Sequence, residues 1–283
     1  MMLVIEALLL ILAALGQDNR TAATDERQIF PLDMAENSVD DKFDWCTKKM
    51  ELRVQTEFLK KEINSNSVFA EVWEDAEQEH IPPGDNLSKN HSVAIYAYTN
   101  SAFNLYQLFN DAVRSGKQKY TDEKYAWYSL HFWLTEAIQI LKKTQTKCYT
   151  TYRGTRVEFD KNVKGKEIRF GSFTSSSFDR NKTVGFGTKS CFEIRTCQGA
   201  DLTKYSSFPD EEEVLIPPYE TFKVTDMKTK TDQKDLWCDT VFTLKNYKKI
   251  SFLNCAVAHN TGNQVAFMNV LLILTLLCYL FNY

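Results

Sequence analysis

The sequence lacks an excess of either charge. In 283 residues, 34 Lys and Arg stand against 37 Asp and Glu, a net charge of −3. No basic field is available for counterion release, which argues against a nucleic-acid partner. Histidine is scarce: His80, His91, His131 and His259 are the four present. None is spaced from another histidine or from a cysteine pair as zinc ligands are, so no metal is expected. Glycine and proline number 10 and 6. The glycines form neither a P-loop nor a G-x-G-x-x-G fingerprint, and Gly185-Phe186-Gly187 reads as an isolated turn. A nucleotide bound by this chain would not sit in a Rossmann crevice. The nucleophile elbow G-x-S-x-G is missing as well, since Gly171-Ser172-Phe173 lacks its frame.

What the chain does contain is an ordinary globular interior: 43% hydrophobic residues, 25% charged, and 19 Phe, 13 Tyr and 5 Trp for a large core. Both ends carry export signals. Leu3–Leu15 is apolar apart from Glu6, with small residues at Ala14 and Gly16, so residues 1–16 read as a secretory signal peptide. At the other end Val270–Phe281 is apolar and has no basic flank after it. Small residues upstream and a short spacer give the pattern of a GPI-attachment signal. Asn260 is the expected attachment site, and 261–283 is the removed propeptide. A single-pass tail anchor is the competing reading. Of seven cysteines, Cys278 lies in that tail, which leaves Cys46, Cys148, Cys191, Cys197, Cys238 and Cys255. An even number in an exported chain points to disulfides, although spacing alone leaves every pairing open. Sequons at Asn19, Asn86, Asn90 and Asn181 would have to lie at the surface if glycosylated.

Between the signals, 17–260 reads as one domain. Met50, Val54, Phe58 and Leu59 give helical spacing within 40–63, and a second helix starts near Ser67. Ile81-Pro82-Pro83-Gly84 breaks the chain. Helical pattern returns over 101–114, Gly116 stops it, and Asp122 can cap a long helix carrying Tyr125, Tyr128, Phe132, Ala137, Ile138 and Leu141. After Lys143 short β-branched and aromatic runs predict strands at 148–153, 167–170, 189–196, 214–216, 219–225 and 236–244. Helices first and strands afterwards predict an α+β fold, its helical part followed by a mainly antiparallel sheet.

Three strings carry candidate chemistry. They are Tyr152-Arg153-Gly154, the serine-rich run Phe170–Ser177, and Phe208–Pro217 with its glutamates Glu211, Glu212 and Glu213. Singly, each has an ordinary reading as a strand end, a solvated loop and a solvated corner. In an extended strand Glu211 and Glu213 would share a face, and two carboxylates held together can divide acid/base and electrostatic roles.

Together the strings resemble the Arg, Ser-Thr-Ser and Glu-x-Glu signature of the vertebrate GPI-anchored ecto-mono-ADP-ribosyltransferases, a pattern shared with arginine-specific bacterial toxins. The likeness extends to Phe30–Ala35, Asp40-Asp41, Ala97–Thr99 and Glu213–Pro217 and spans the mature chain. It implies a fold with a central NAD cleft and transfer of ADP-ribose from NAD, or NADP, to arginine side chains of extracellular proteins, with nicotinamide released. It implies that Arg153 grips phosphate, that Gly154 leaves room for the nicotinamide amide, and that Ser175 orients Glu213. Glu213 would stabilise the oxocarbenium-like transition state, and Glu211 would orient the acceptor guanidinium. Tyr98, Arg153 and Ser206 match NAD-contacting positions, and Ser172 stands where relatives carry Gln. The resemblance pairs Cys46 with Cys255 and Cys148 with Cys197, and it leaves Cys191 and Cys238 as a third bridge or two buried thiols. An NAD glycohydrolase and an inactive surface antigen on the same fold are the alternatives. Glu211 argues against the first, and intact Arg153, Ser175 and Glu213 argue against the second.

Overall fold

The structure is a computed structural model and describes residues 28–100 and 104–258. The signal peptide 1–16, Asn19, His259, Asn260, Cys278 and the tail 261–283 lie outside the described residues. Among the described residues, no helix is long and apolar enough to cross a membrane.

The chain opens with strand β1 (Ile29–Phe30) and enters the helical part. Helix α1 (Thr47–Arg53) continues through a π-helical turn, Val54–Phe58, into α2 (Leu59–Ser65). Helix α3 (Ser67–Glu79) is capped by the Asn66 side chain, which accepts from the Phe69 amide at 3.1 Å. Then follow α4 (Lys89–Thr99), α5 (Leu105–Ser115), α6 (Lys117–Thr121) and α7 (Tyr128–Thr144). The expected Asp122 cap is not observed: Asp122 ends α6, and α7 starts six residues later. The α7 amides of Tyr128 and Ser129 donate instead to the buried Glu62 carboxyl at 2.6 and 3.1 Å. Glu62 thus does from another helix what a local cap would do.

Nine further strands follow among the described residues. β2 (Tyr149–Thr155), β4 (Glu167–Ile168), β5 (Thr174–Ser177), β6 (Ser190–Thr196), β7 (Ala200–Asp201), β8 (Glu213–Ile216), β9 (Glu220–Thr229) and β10 (Thr240–Lys249) form one sheet in the order β4-β9-β10-β6-β2-β5-β8-β7. β3 (Glu158–Phe159) pairs separately with β1. All neighbours in the large sheet are antiparallel except β10 and β6. The α+β expectation is met. One apolar cluster joins the helices to the β5–β8–β7 side through Phe173, Ala200 and Leu215. A second, with Phe192, Phe222 and Phe242, fills the β6–β9–β10 side.

Three disulfides hold this frame. Cys46–Cys255 and Cys148–Cys197 are the pairs the resemblance implied, and Cys191–Cys238 is a third bridge rather than two thiols. The first fastens the chain ends together, where Asp40 accepts from the Leu253 amide at 2.9 Å and Asp41 from the Cys255 amide at 2.9 Å. The buried Arg169 guanidinium pairs with Asp40.

Burial pushes Asp41 and Glu62 each up to about 7. A carboxyl whose folded pKa lies above its unfolded value adds stability fully present below the unfolded pKa and lost as pH rises through the folded one. The melting temperature is therefore expected to fall as pH rises from about 4 to about 7. Calorimetry of the protein and of Glu62→Gln, in which the fall should be shallower, checks this.

Candidate active site

The cleft lies where the large sheet divides. β2 and β5 pair at one position, Tyr152 opposite Ser177, and the next pairs run β5 to β8 with Ser177 opposite Glu213 and Ser175 opposite Leu215. Where the strands part they leave a cleft of about 340 Å³. Arg153 and Gly154 enter it from β2, Ser175, Ser176 and Ser177 from β5, Glu213 from the start of β8 and Glu211 from the turn before it. Thr183 and Phe186, from the turn after β5, complete the wall.

Arg153 donates from Nη1 to the Ser175 carbonyl at 2.6 Å, which ties the two parting strands together at the cleft. Burial lowers its pKa, and the neighbouring Arg114 charge lowers it further. Glu213 is buried, and burial pushes its carboxyl up to about 7. A hydrogen bond with the Ser175 side chain and the charge of Arg153 pull the other way. Glu211 is half-buried and also raised by burial.

The extended path expected for Glu211–Glu213 is not what forms. Glu211 ends a 3-10 turn, Pro209–Glu211, Glu212 adopts left-handed backbone (φ 48°), and Glu213 starts β8. The two carboxylates still meet across the cleft, because the turn is pinned from below. Ser177 Oγ donates to the Glu211 carbonyl at 2.7 Å, and Lys182 Nζ bonds Glu212 at 3.1 Å. The serine run is therefore a structural brace as well as cleft lining. Gly154 also answers to a constraint within the protein itself. A Cβ there would meet the Gly187 and Thr183 carbonyl oxygens at 2.3 and 2.4 Å, so the clash is with the protein's own turn.

Tyr98 lies behind the cleft and is fully buried. Its hydroxyl donates to the Phe173 carbonyl at 3.3 Å, accepts from Asn110 Nδ2 at 3.0 Å, and bonds Ser175; burial pushes it up to about 12. Ser172 and Ser206 are buried and lie off the cleft wall. Ser172 Oγ accepts from Arg114 Nη1 at 3.0 Å, and Ser206 Oγ accepts from the Phe208 amide at 3.0 Å. Phe186, Thr183 and Arg114 are the residues that motif reading misses. Arg114 belongs to α5, far in sequence from the three strings, and Ser172 is the link that brings it in. Of the expected glycosylation sites, Asn86 and Asn181 are exposed and Asn90 is half-buried. No group of three or more His, Cys, Asp or Glu side chains could hold a metal among the described residues.

The sequence model for NAD:arginine ADP-ribosyltransferases matches residues 32–242, and the chain belongs to that family. NAD(P)(+)--arginine ADP-ribosyltransferase 1 of Gallus gallus is 34% identical over 241 residues, covering 82% of this chain and 75% of the relative. Ecto-ADP-ribosyltransferase 5 of Bos taurus is 36% identical over 80% of this chain and 73% of its own length. Among solved structures, a mutant of the eukaryotic mono-ADP-ribosyltransferase ART2.2 in complex with NAD superposes with a TM-score of 0.64. It is 30% identical and covers 80% of this chain and 98% of that one.

Proposed function

We propose that this protein transfers ADP-ribose from NAD to arginine side chains of extracellular or cell-surface proteins, releasing nicotinamide. The observation that carries this reading is the convergence of Glu211 and Glu213 on the cleft that Arg153 and Ser175 line. The half-buried Arg153 guanidinium suits an anionic diphosphate, which it can grip with two parallel hydrogen bonds. Glu213, held by Ser175, faces the ribose. As the bond to nicotinamide lengthens, its carboxylate stabilises the positive charge that grows on that sugar, the same electrostatic use that glycoside hydrolases make of a carboxylate. Glu211 stands nearer the cleft mouth, where it receives the acceptor guanidinium and draws off its proton as the new C–N bond forms. The test is incubation of the purified protein with labelled NAD and a small guanidine acceptor, following ADP-ribosyl transfer and nicotinamide release together. Nicotinamide release with no transfer would make the protein a glycohydrolase.

Arg114 extends the phosphate grip. Its side chain is half exposed, also pairs with Asp111, and bonds Ser172 beside Arg153. The Arg114 charge acts unfavourably on the Arg153 guanidinium, and an anionic diphosphate bound beside both would relieve that repulsion. Arg114→Ala is expected to raise KM for NAD by roughly three- to tenfold with kcat little changed, one exposed charge-assisted bond being worth about 1 kcal/mol. Steady-state kinetics in NAD checks this.

The protein reaches the surface by secretion and is held there through a GPI lipid at Asn260, the reading supported by the two apolar ends and by the similarity to ecto-enzymes. Phosphatidylinositol-specific phospholipase C should release it from cells. Retention after complete digestion of a control GPI protein would favour a spanning tail.

A further inference from the structure

Trp45 stands fully in water, with a relative exposure of 101%, on the turn that enters α1. Its backbone is left-handed (φ 75°), an uncommon conformation for a bulky residue. The turn is not loose. Phe43 on one side is buried in the core, and its carbonyl accepts from the Cys46 amide at 3.2 Å and from Thr47 Oγ1 at 3.1 Å. Asp44 exchanges two bonds with the Asn254 side chain, at 2.9 and 3.1 Å, and Cys46 is disulfide-bonded to Cys255. A large amphipathic ring is therefore held out into solvent by a turn fastened on every side, where it is positioned to meet a surface.

What covers it follows from where the chain goes next. The turn is bonded to 254–255, and Arg53 on α1 holds the Val257 carbonyl at 2.7 Å. The described chain ends one residue later at Ala258, and the apolar run Val270–Phe281 follows in sequence. Residues 254–257, which precede the apolar run in sequence, thus lie against the turn and helix that carry Trp45. On α1 the exposed residues next in line are Lys48, Lys49 and Leu52, the last 61% exposed. Indole, an aliphatic side chain and long amines on apolar stems make up the composition that settles at the headgroup level of a bilayer.

We infer that Trp45, with Leu52 and the flanking lysines, seats the folded domain on the phosphatidylcholine surface to which its C-terminus is attached. This rests on the lipid-attachment reading above. With one attachment the domain would swivel freely; a second contact, formed by a rigid turn, fixes which way the domain faces on the membrane.

The experiment uses the membrane protein purified from cells and reconstituted in phosphatidylcholine vesicles with plain or brominated acyl chains. Tryptophan emission is read for the wild type and for Trp45→Phe. Trp73, Trp127 and Trp133 are buried and Trp237 is half-buried, so the difference between the two proteins isolates the exposed indole. Bromine should quench the wild type and leave Trp45→Phe unchanged, because an interfacial ring lies within roughly 5–10 Å of the acyl boundary. Aqueous iodide should quench Trp45 less on vesicles than after phospholipase release. Unchanged emission on brominated lipid, with iodide reaching Trp45 equally before and after release, would overturn the inference. So would shielding that persists in the released protein and grows with its concentration, which would assign the face to a second copy. Retained transfer to a small guanidine in Trp45→Phe confirms an intact fold. Phospholipase release reads the attachment and bromine reads the contact, so the two readings fail separately.

Discussion

Glu213→Ala is expected to lose ADP-ribosyl transfer and nicotinamide release together, each by about a hundred- to thousandfold, the usual consequence of removing one group that acts only on transition-state charge. The residue is buried beside Ser175 and Arg153, and among the described residues the one other carboxylate lining the cleft is Glu211, which sits on the turn outside the strand. Its pH signature separates this role from a merely structural one. Burial holds Glu213 up to about 7, so the carboxyl is neutral below that value and ionised above it. The wild-type kcat/KM for NAD should climb as pH rises towards about 7 and level off beyond it, with Glu213→Gln giving a low profile without the climb. A variant that keeps more than about a tenth of the rate would remove Glu213 from the reaction.

Glu211→Gln should separate the two products. A protonated guanidinium, with a pKa above about 12, is a poor nucleophile and needs an adjacent base to orient it and take its proton. Water needs no such partner. Arginine modification should fall by more than about tenfold while nicotinamide release continues, the loss expected for one general base. Both products are measured in one reaction. Equal loss of the two would place Glu211 in NAD binding or folding, and unchanged transfer would deny it a catalytic part. The turn geometry makes the substitution a clean one. The bonds that pin the turn run to the Glu211 carbonyl and the Glu212 side chain, and the Glu211 carboxyl is not among them.

The elements that could be read from the sequence are those with a one-sided pattern. Ser67–Glu79 buries Phe69, Val72, Trp73 and Ala76 on one face, and its start is marked by a capping Asn66. Ser190–Thr196 is a run of β-branched and aromatic residues inside the sheet. Helix Lys89–Thr99 carries no period in the sequence because His91, Ser92, Val93, Ala94, Ile95, Ala97 and Tyr98 are all buried, and a helix covered on most sides lacks a polar face. Thr174–Ser177 was hidden for the opposite reason. Its hydroxyls look like a solvated loop, and only its neighbours β2 and β8 make it a strand. In the site, Arg153, Ser175, Glu211 and Glu213 stood out through a combined motif that no one of them carried alone. Arg114 gave no sequence signal, since its contribution depends on α5 folding back over Ser172. The left-handed step at Glu212 was equally hidden: a run of three glutamates does not announce a turn.

The Cys46–Cys255 bridge has a consequence for life outside the cell. It closes a covalent ring around every residue from 46 to 255, and Arg153, Ser175, Glu211 and Glu213 all lie inside that ring. A protease that nicks one surface loop within the ring cuts the backbone and detaches nothing, because the two pieces remain joined through sulfur. Such a molecule would run as a single chain on a non-reducing gel and fall into two fragments when reduced. With the domain held at Asn260 as proposed, a single cut that frees the cleft therefore has to fall on the C-terminal side of Cys255.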